Sequence, residues 1–133
     1  MKKILLVLIW ASLLFGASKT DSTTGLMWQD NSDAKSLELN WNDAIEYCQE
    51  LTLDGYSDWR LPSIKELQTL VDISKYKPAI KGGLDNTASY YYWSSSVHVS
   101  DSSQAWVVHF GDGGTNHYKK AGKLYVRCVR VGQ

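Results

Sequence analysis

One run in the middle of the chain restricts the fold more than any other: Gly55-Tyr56-Ser57-Asp58-Trp59-Arg60-Leu61-Pro62-Ser63-Ile64-Lys65-Glu66-Leu67. It places a turn, an extended piece and a helix start next to one another. Gly55 and Asp58 supply turn chemistry. Pro62 disfavours the helical region for Leu61, so Trp59-Arg60-Leu61 reads as extended. Ser63 and Glu66 have capping-box spacing, and Ile64, Leu67, Leu70 and Val71 give the helix that follows an apolar stripe. A tryptophan held between a turn and a capped helix serves as a core anchor more often than as a ligand contact.

Periodicity organises the rest. Thr24-Gly25 is a turn, and Leu26-Met27-Trp28 reads as a first strand. Residues 31–40 are a polar loop. Asn40 is placed to cap a helix that starts at Trp41, with Asp43 in its first turn. Trp41, Ala44, Ile45, Cys48 and Leu51 recur at helical spacing and give that helix one buried face. The second helix is expected over 64–72. An irregular stretch over 73–88 carries Pro78 and Gly82-Gly83. Strands follow over 90–97 and 104–110, a hairpin turn at Gly111-Asp112-Gly113-Gly114, then strands over 115–119 and 124–131. Two helices followed by a twisted antiparallel sheet with long irregular loops make the class α+β.

The first residues do not belong to that domain. Lys2 and Lys3 precede an apolar stretch from Ile4 to Phe15, then small Gly16, Ala17 and Ser18. This is the three-part pattern of a secretory signal peptide, and the stretch is shorter than the roughly 20 residues a bilayer span needs. The expected division is a signal peptide over 1–18 and a domain over 19–133. The product is secreted or periplasmic, with no membrane insertion after cleavage. In such a compartment two cysteines make one bridge. Cys48 to Cys128 would tie the first helix to the last strand, and the chain-entropy model values such a closure at about 4 kcal/mol.

Charge is split along the chain. From Lys19 to Asp72 eleven acidic residues face four basic ones; from Ile73 onward three acidic residues face eight basic ones. Such a division either builds a basic face that attracts a polyanion or neutralises itself in space.

Asp21, Thr24-Gly25-Leu26-Met27-Trp28, Trp41…Ala44…Cys48, Asp58-Trp59-Arg60-Leu61-Pro62-Ser63…Glu66-Leu67, Tyr92-Trp93-Ser94-Ser95 and Val126-Arg127-Cys128-Val129-Arg130 occur in the order of a known family. With them the chain resembles the Lcl C-terminal domain family over nearly all of the exported part. The resemblance implies a C-type lectin-like fold, with first and last strands side by side and a disulfide from first helix to last strand. It also implies a secreted or surface-exposed bacterial protein. The better understood members are adhesin tips that bind sulfated polysaccharides, and many others have no known role.

Metal and catalytic readings find little support. Trp41-Asn42-Asp43 spells a triplet used by calcium-holding lectins of that fold, but it lies at a helix start, and Pro78 has no flanking carboxylate. Asp85, Asn86, Asp101 and Asp112 show no converging spacing for the six or more oxygens calcium takes. No cofactor or metal is expected. His98, Asp101 and the neighbouring serines contain triad letters without a nucleophile elbow. No Cys/His spacing suits zinc, and Gly111 to Gly114 lacks the lysine and helix of a phosphate loop. The expectation is therefore a non-catalytic protein.

What remains is a binding module. Sugar faces stack on aromatic rings, and sulfates pair with Lys and Arg. Strand alternation leaves either Tyr91 or the pair Tyr90 and Tyr92 at a surface or groove. His117, Lys119, Lys120 and Lys123 form a basic cluster just after the hairpin. The candidate ligand-binding residues are Tyr91, His117, Lys119, Lys120 and Lys123. The expected partner is a polysaccharide or a protein ligand, with no nucleic acid, and a homo-oligomer stays open. The alternative is a structural module of the cell envelope without glycan affinity.

Overall fold

The computed structural model describes residues 16–132. The expected signal peptide lies mostly over residues 1–15, outside the described residues. The domain is α+β, with eight strands in two sheets and three helices among the described residues. In chain order the elements are β1 (Ser18–Asp21), β2 (Leu26–Gln29), α1 (Asp33–Ser36), β3 (Glu38–Leu39), α2 (Trp41–Glu50) and α3 (Ile64–Gln68). Then come β4 (Tyr91–Val97), β5 (Gln104–His109), β6 (Thr115–Lys119), β7 (Leu124–Tyr125) and β8 (Val129–Val131). A three-stranded sheet has the order β1-β2-β8, and a five-stranded sheet the order β3-β7-β4-β5-β6. Every pairing is antiparallel except β4 with β7.

Local chemistry accounts for both longer helices. Asn40 caps α2 by accepting the Asp43 N–H at 2.9 Å. Ala44 and Cys48 are its fully buried residues, with Trp41, Ile45 and Leu51 packed partly against the same core. Ser63 and Glu66 close a capping box at the start of α3. That helix stops at Gln68, earlier than the expected 72, because Val71 leaves it to bridge Ile80. The expected polar loop over 31–40 contains α1 and β3. β1 starts at Ser18, and the Ala17 carbonyl accepts the Asp30 N–H at 2.8 Å.

The central run works as expected, with one change. Its turn is made by Asp54 and Gly55, at φ 53° and 80°, between mutually bonded Leu53 and Tyr56. Two left-handed residues suit a tight hairpin turn, and Asp-Gly is a favoured pair there. Asp58 instead pairs with Arg130, 2.6 Å from its Nε. Arg60 exchanges backbone hydrogen bonds with Val129, and Trp59 is 2 % exposed with its indole N–H on the Tyr56 carbonyl. The serines of β4 tie the run to the large sheet. Ser95 N–H donates to the Pro62 carbonyl, and the Ser96 hydroxyl accepts the Ile64 N–H at the helix start.

The five-stranded sheet separates two cores. Trp93, Ala105, Val107, Val126 and the Cys48–Cys128 disulfide pack under α2. Tyr92, Val108 and Phe110 pack with Leu67, Leu70, Trp28 and Val129 on the other side. Because both faces are covered there, the strands carry consecutive apolar residues instead of strict alternation. The disulfide joins α2 to the segment just before β8, with Cα atoms 5.5 Å apart. The expected single strand over 124–131 is two strands in different sheets. Between them Cys128 N–H bonds to the Gln29 side chain, and the buried Arg127 reaches the Gln29 and Asn86 carbonyls.

Candidate functional site

β6 is an edge strand, and alternation sends its side chains to two different surfaces. His117 and Lys119 lie opposite Trp106 and Gln104 of β5, and these four share one face. Beyond the reach of α3 this face is open. Trp106 is half-buried there, with the His98 ring 4.9 Å from it and the His117 ring 5.5 Å from it, centroid to centroid. The two imidazoles are 4.4 Å apart.

A chain of hydrogen bonds orients this group. Asp101 Oδ1 accepts from the Ser103 amide and hydroxyl, and Oδ2 accepts from Gln104 Nε2 at 3.0 Å. These donors, the Ser103 hydroxyl first, hold the Asp101 carboxyl below the usual carboxylate range. With its amide nitrogen committed to Asp101, Gln104 turns its oxygen to His117, so Nδ1 of His117 carries the proton. While the ring is neutral, Nε2 of His117 is then an acceptor. The Asp101 carboxylate accepts from Ser103 and Gln104, and among the described residues no hydrogen bond joins it to the His98 ring.

Tyr91 lies on the opposite face. It packs on His109 at 4.7 Å and Tyr118 at 5.6 Å, and its hydroxyl reaches Asn116. Tyr90 is 42 % exposed beside it, and Tyr92 is fully buried. His109 Nδ1 accepts the Gly111 N–H at 3.0 Å, which leaves its proton on Nε2. Asp112, 3.7 Å from that same Nδ1, is therefore not ion-paired to it while the ring is neutral. Lys120 sits over the Trp41 ring at 4.1 Å, and Lys123 is exposed in the turn after β6.

The expected site is thus divided. His117 and Lys119 come together, Tyr91 faces the other way, and Lys120 covers Trp41. Trp106 is legible in the sequence as one of several aromatics, but the β5–β6 register is what brings it to this patch and adds Gln104. Among the described residues no three His, Cys, Asp or Glu side chains converge as a metal site requires. Asp85 and Asn86 instead give their amides to Asp30.

Residues 18–130 match the model of the Lcl C-terminal domain, and the chain belongs to that family. No curated protein matches it.

Proposed function

We propose that this member of the Lcl C-terminal domain family is an exported, non-catalytic binding module of C-type lectin-like fold that docks a sulfated polysaccharide on the open β5–β6 face. The observation that carries the reading is the Trp106 ring set among His98, His117, Gln104 and Lys119. A sugar ring stacks on the indole, the Gln104 and His117 edges meet hydroxyls, and Lys119 meets a sulfate. The disulfide supports an oxidising compartment, and no helix among the described residues is long and apolar enough to cross a membrane. Binding needs no calcium in this reading.

The test is a sulfated oligosaccharide titrated against wild type, Trp106→Ala and Lys119→Glu, at two salt concentrations and with chelator. Trp106→Ala weakens binding about tenfold, equivalent to about 1.4 kcal/mol. Lys119→Glu weakens it and flattens its salt dependence, and chelator changes nothing. Unchanged affinity in both variants removes this face from the account. The alternative, an assembly module, would dock through exposed apolar side chains such as Ile73 or Val99, 86 % and 97 % exposed. It expects concentration-dependent oligomers and no glycan affinity.

A further inference from the structure

The indole nitrogens of Trp41, Trp59 and Trp93 each donate to a backbone carbonyl, of Ser94, Tyr56 and Leu39. Among the buried tryptophans of the described residues, Trp28 is the exception. It is fully buried, and its Nε1 has no acceptor among the described residues. A buried N–H without a partner costs about 1–3 kcal/mol, so its position calls for an explanation. Trp28 also lines a cleft of about 220 Å³ with Lys19, Asp21, Ser22, Leu70, Lys81 and Leu84. That volume is far above the roughly 15 Å³ a single water needs.

The strand register explains how the cleft is charged. Lys19 pairs with Trp28 and Asp21 with Leu26, so both side chains stand on the Trp28 face of the small sheet. Lys81 holds Asp21 at 3.0 Å, and the Asp21 carboxyl, which burial alone would raise, is held low by that ammonium and by Thr23 and Thr24. Lys19 lies across Gly83, where an added Cβ would meet its Cε at 2.7 Å, and Lys75 Nζ lies close to Gly82. Lys81 is thus paired with Asp21, Lys19 lines the same cleft as a second ammonium, and Lys75 is drawn to Asp72 at its edge, with Leu70, Leu84 and the indole as an apolar wall.

We propose that this cleft binds an acidic sugar ring, free or at the end of a chain. Its carboxylate or sulfate sits at Lys19 and Lys81, its hydroxyls meet Asp21 and Ser22, and one of its oxygens accepts the Trp28 Nε1–H. The excess of ammonium groups selects an anion, and the mixed apolar and hydroxylated lining selects a ring over a bare ion. The site lies on the small sheet and uses none of the residues of the β5–β6 face.

The experiment follows indole N–H resonances by NMR, with the Trp28 and Trp106 signals assigned by Trp28→Phe and Trp106→Phe. Glucuronate, glucose and inorganic sulfate are titrated separately. Glucuronate shifts the Trp28 signal saturably, Lys19→Glu weakens that response at least tenfold, and Lys19→Arg retains it. Lys19 is exposed, so its replacement leaves the core intact. Absence of a Trp28 shift, equal affinity for glucose, or equal affinity for sulfate overturns the proposal. The Trp106 signal reports the other face in the same spectra, so the two sites fail or stand separately.

Discussion

Replacing Arg127 with Met should cost more stability than any surface substitution. Its side chain is fully buried at the point where the chain passes from the large sheet to the small one. Nη1 donates to the Gln29 carbonyl at 2.5 Å and to Asp30 Oδ1 at 3.3 Å. Nη2 donates to the Asn86 carbonyl at 2.5 Å and the Thr87 hydroxyl at 2.7 Å. Methionine fills much of the volume but donates nothing, leaving two carbonyls and a buried carboxylate short of partners. Breaking one side of a buried ion pair costs about 3–5 kcal/mol. Asp30 keeps the amides of Asp85 and Asn86, which favours the lower half of that range. A domain of this length has a total of about 6–17 kcal/mol, at roughly 0.05–0.15 kcal/mol per residue, so the loss is a large share. The assay is urea denaturation at pH 7 of wild type, Arg127→Met, Arg127→Lys, Asp30→Asn and the Arg127→Met/Asp30→Asn pair. Arg127→Lys should fall between wild type and Met, since a single ammonium cannot span four acceptors. The cycle should show a coupling of about 0.5–3 kcal/mol. A cost below about 1 kcal/mol for Arg127→Met, or strict additivity with Asp30→Asn, would refute the account.

Reducing the Cys48–Cys128 bond should lower the unfolding free energy by about 4 kcal/mol, the entropy of an 80-residue closure, read from urea curves with and without dithiothreitol. Glu66 is held below its ordinary value first by the Arg60 guanidinium, at 2.7 and 2.8 Å, and then by Ser63. A depressed carboxylate stabilises above its unfolded value, about 4.3, and loses that contribution as pH falls through its folded one. The urea midpoint should therefore drop on acidification below about pH 4.3, and Glu66→Gln should show a shallower drop. Equal slopes for the two proteins would contradict this. Gly113→Ala should destabilise by at least about 1–2 kcal/mol for its left-handed backbone. The new Cβ would also meet Val71 Cγ1 at 2.8 Å. A thermal melt with an unshifted midpoint would count against it.

Features set by neighbours in sequence were legible without coordinates. Asn40 and Ser63 cap their helices because a side-chain oxygen two or three residues from an unpaired N–H needs no tertiary context. The hairpin at 111–114 and the apolar stripe of α2 follow from local φ preferences and helical spacing, and the cysteine count with an export pattern gave the bridge. Long-range competition decided the rest. Whether 124–131 is one strand or two depends on Gln29, Asn86 and Thr87 taking up Arg127 and Cys128, partners 40 or more residues away in sequence. The same holds for the candidate surfaces. His117 and Lys120 are three residues apart, yet one joins Trp106 and the other covers Trp41, because strand register, and not proximity in sequence, assigns each side chain to a face. The Trp28 cleft needs β1, β2 and the 81–84 segment together, and no spacing in the chain announces it.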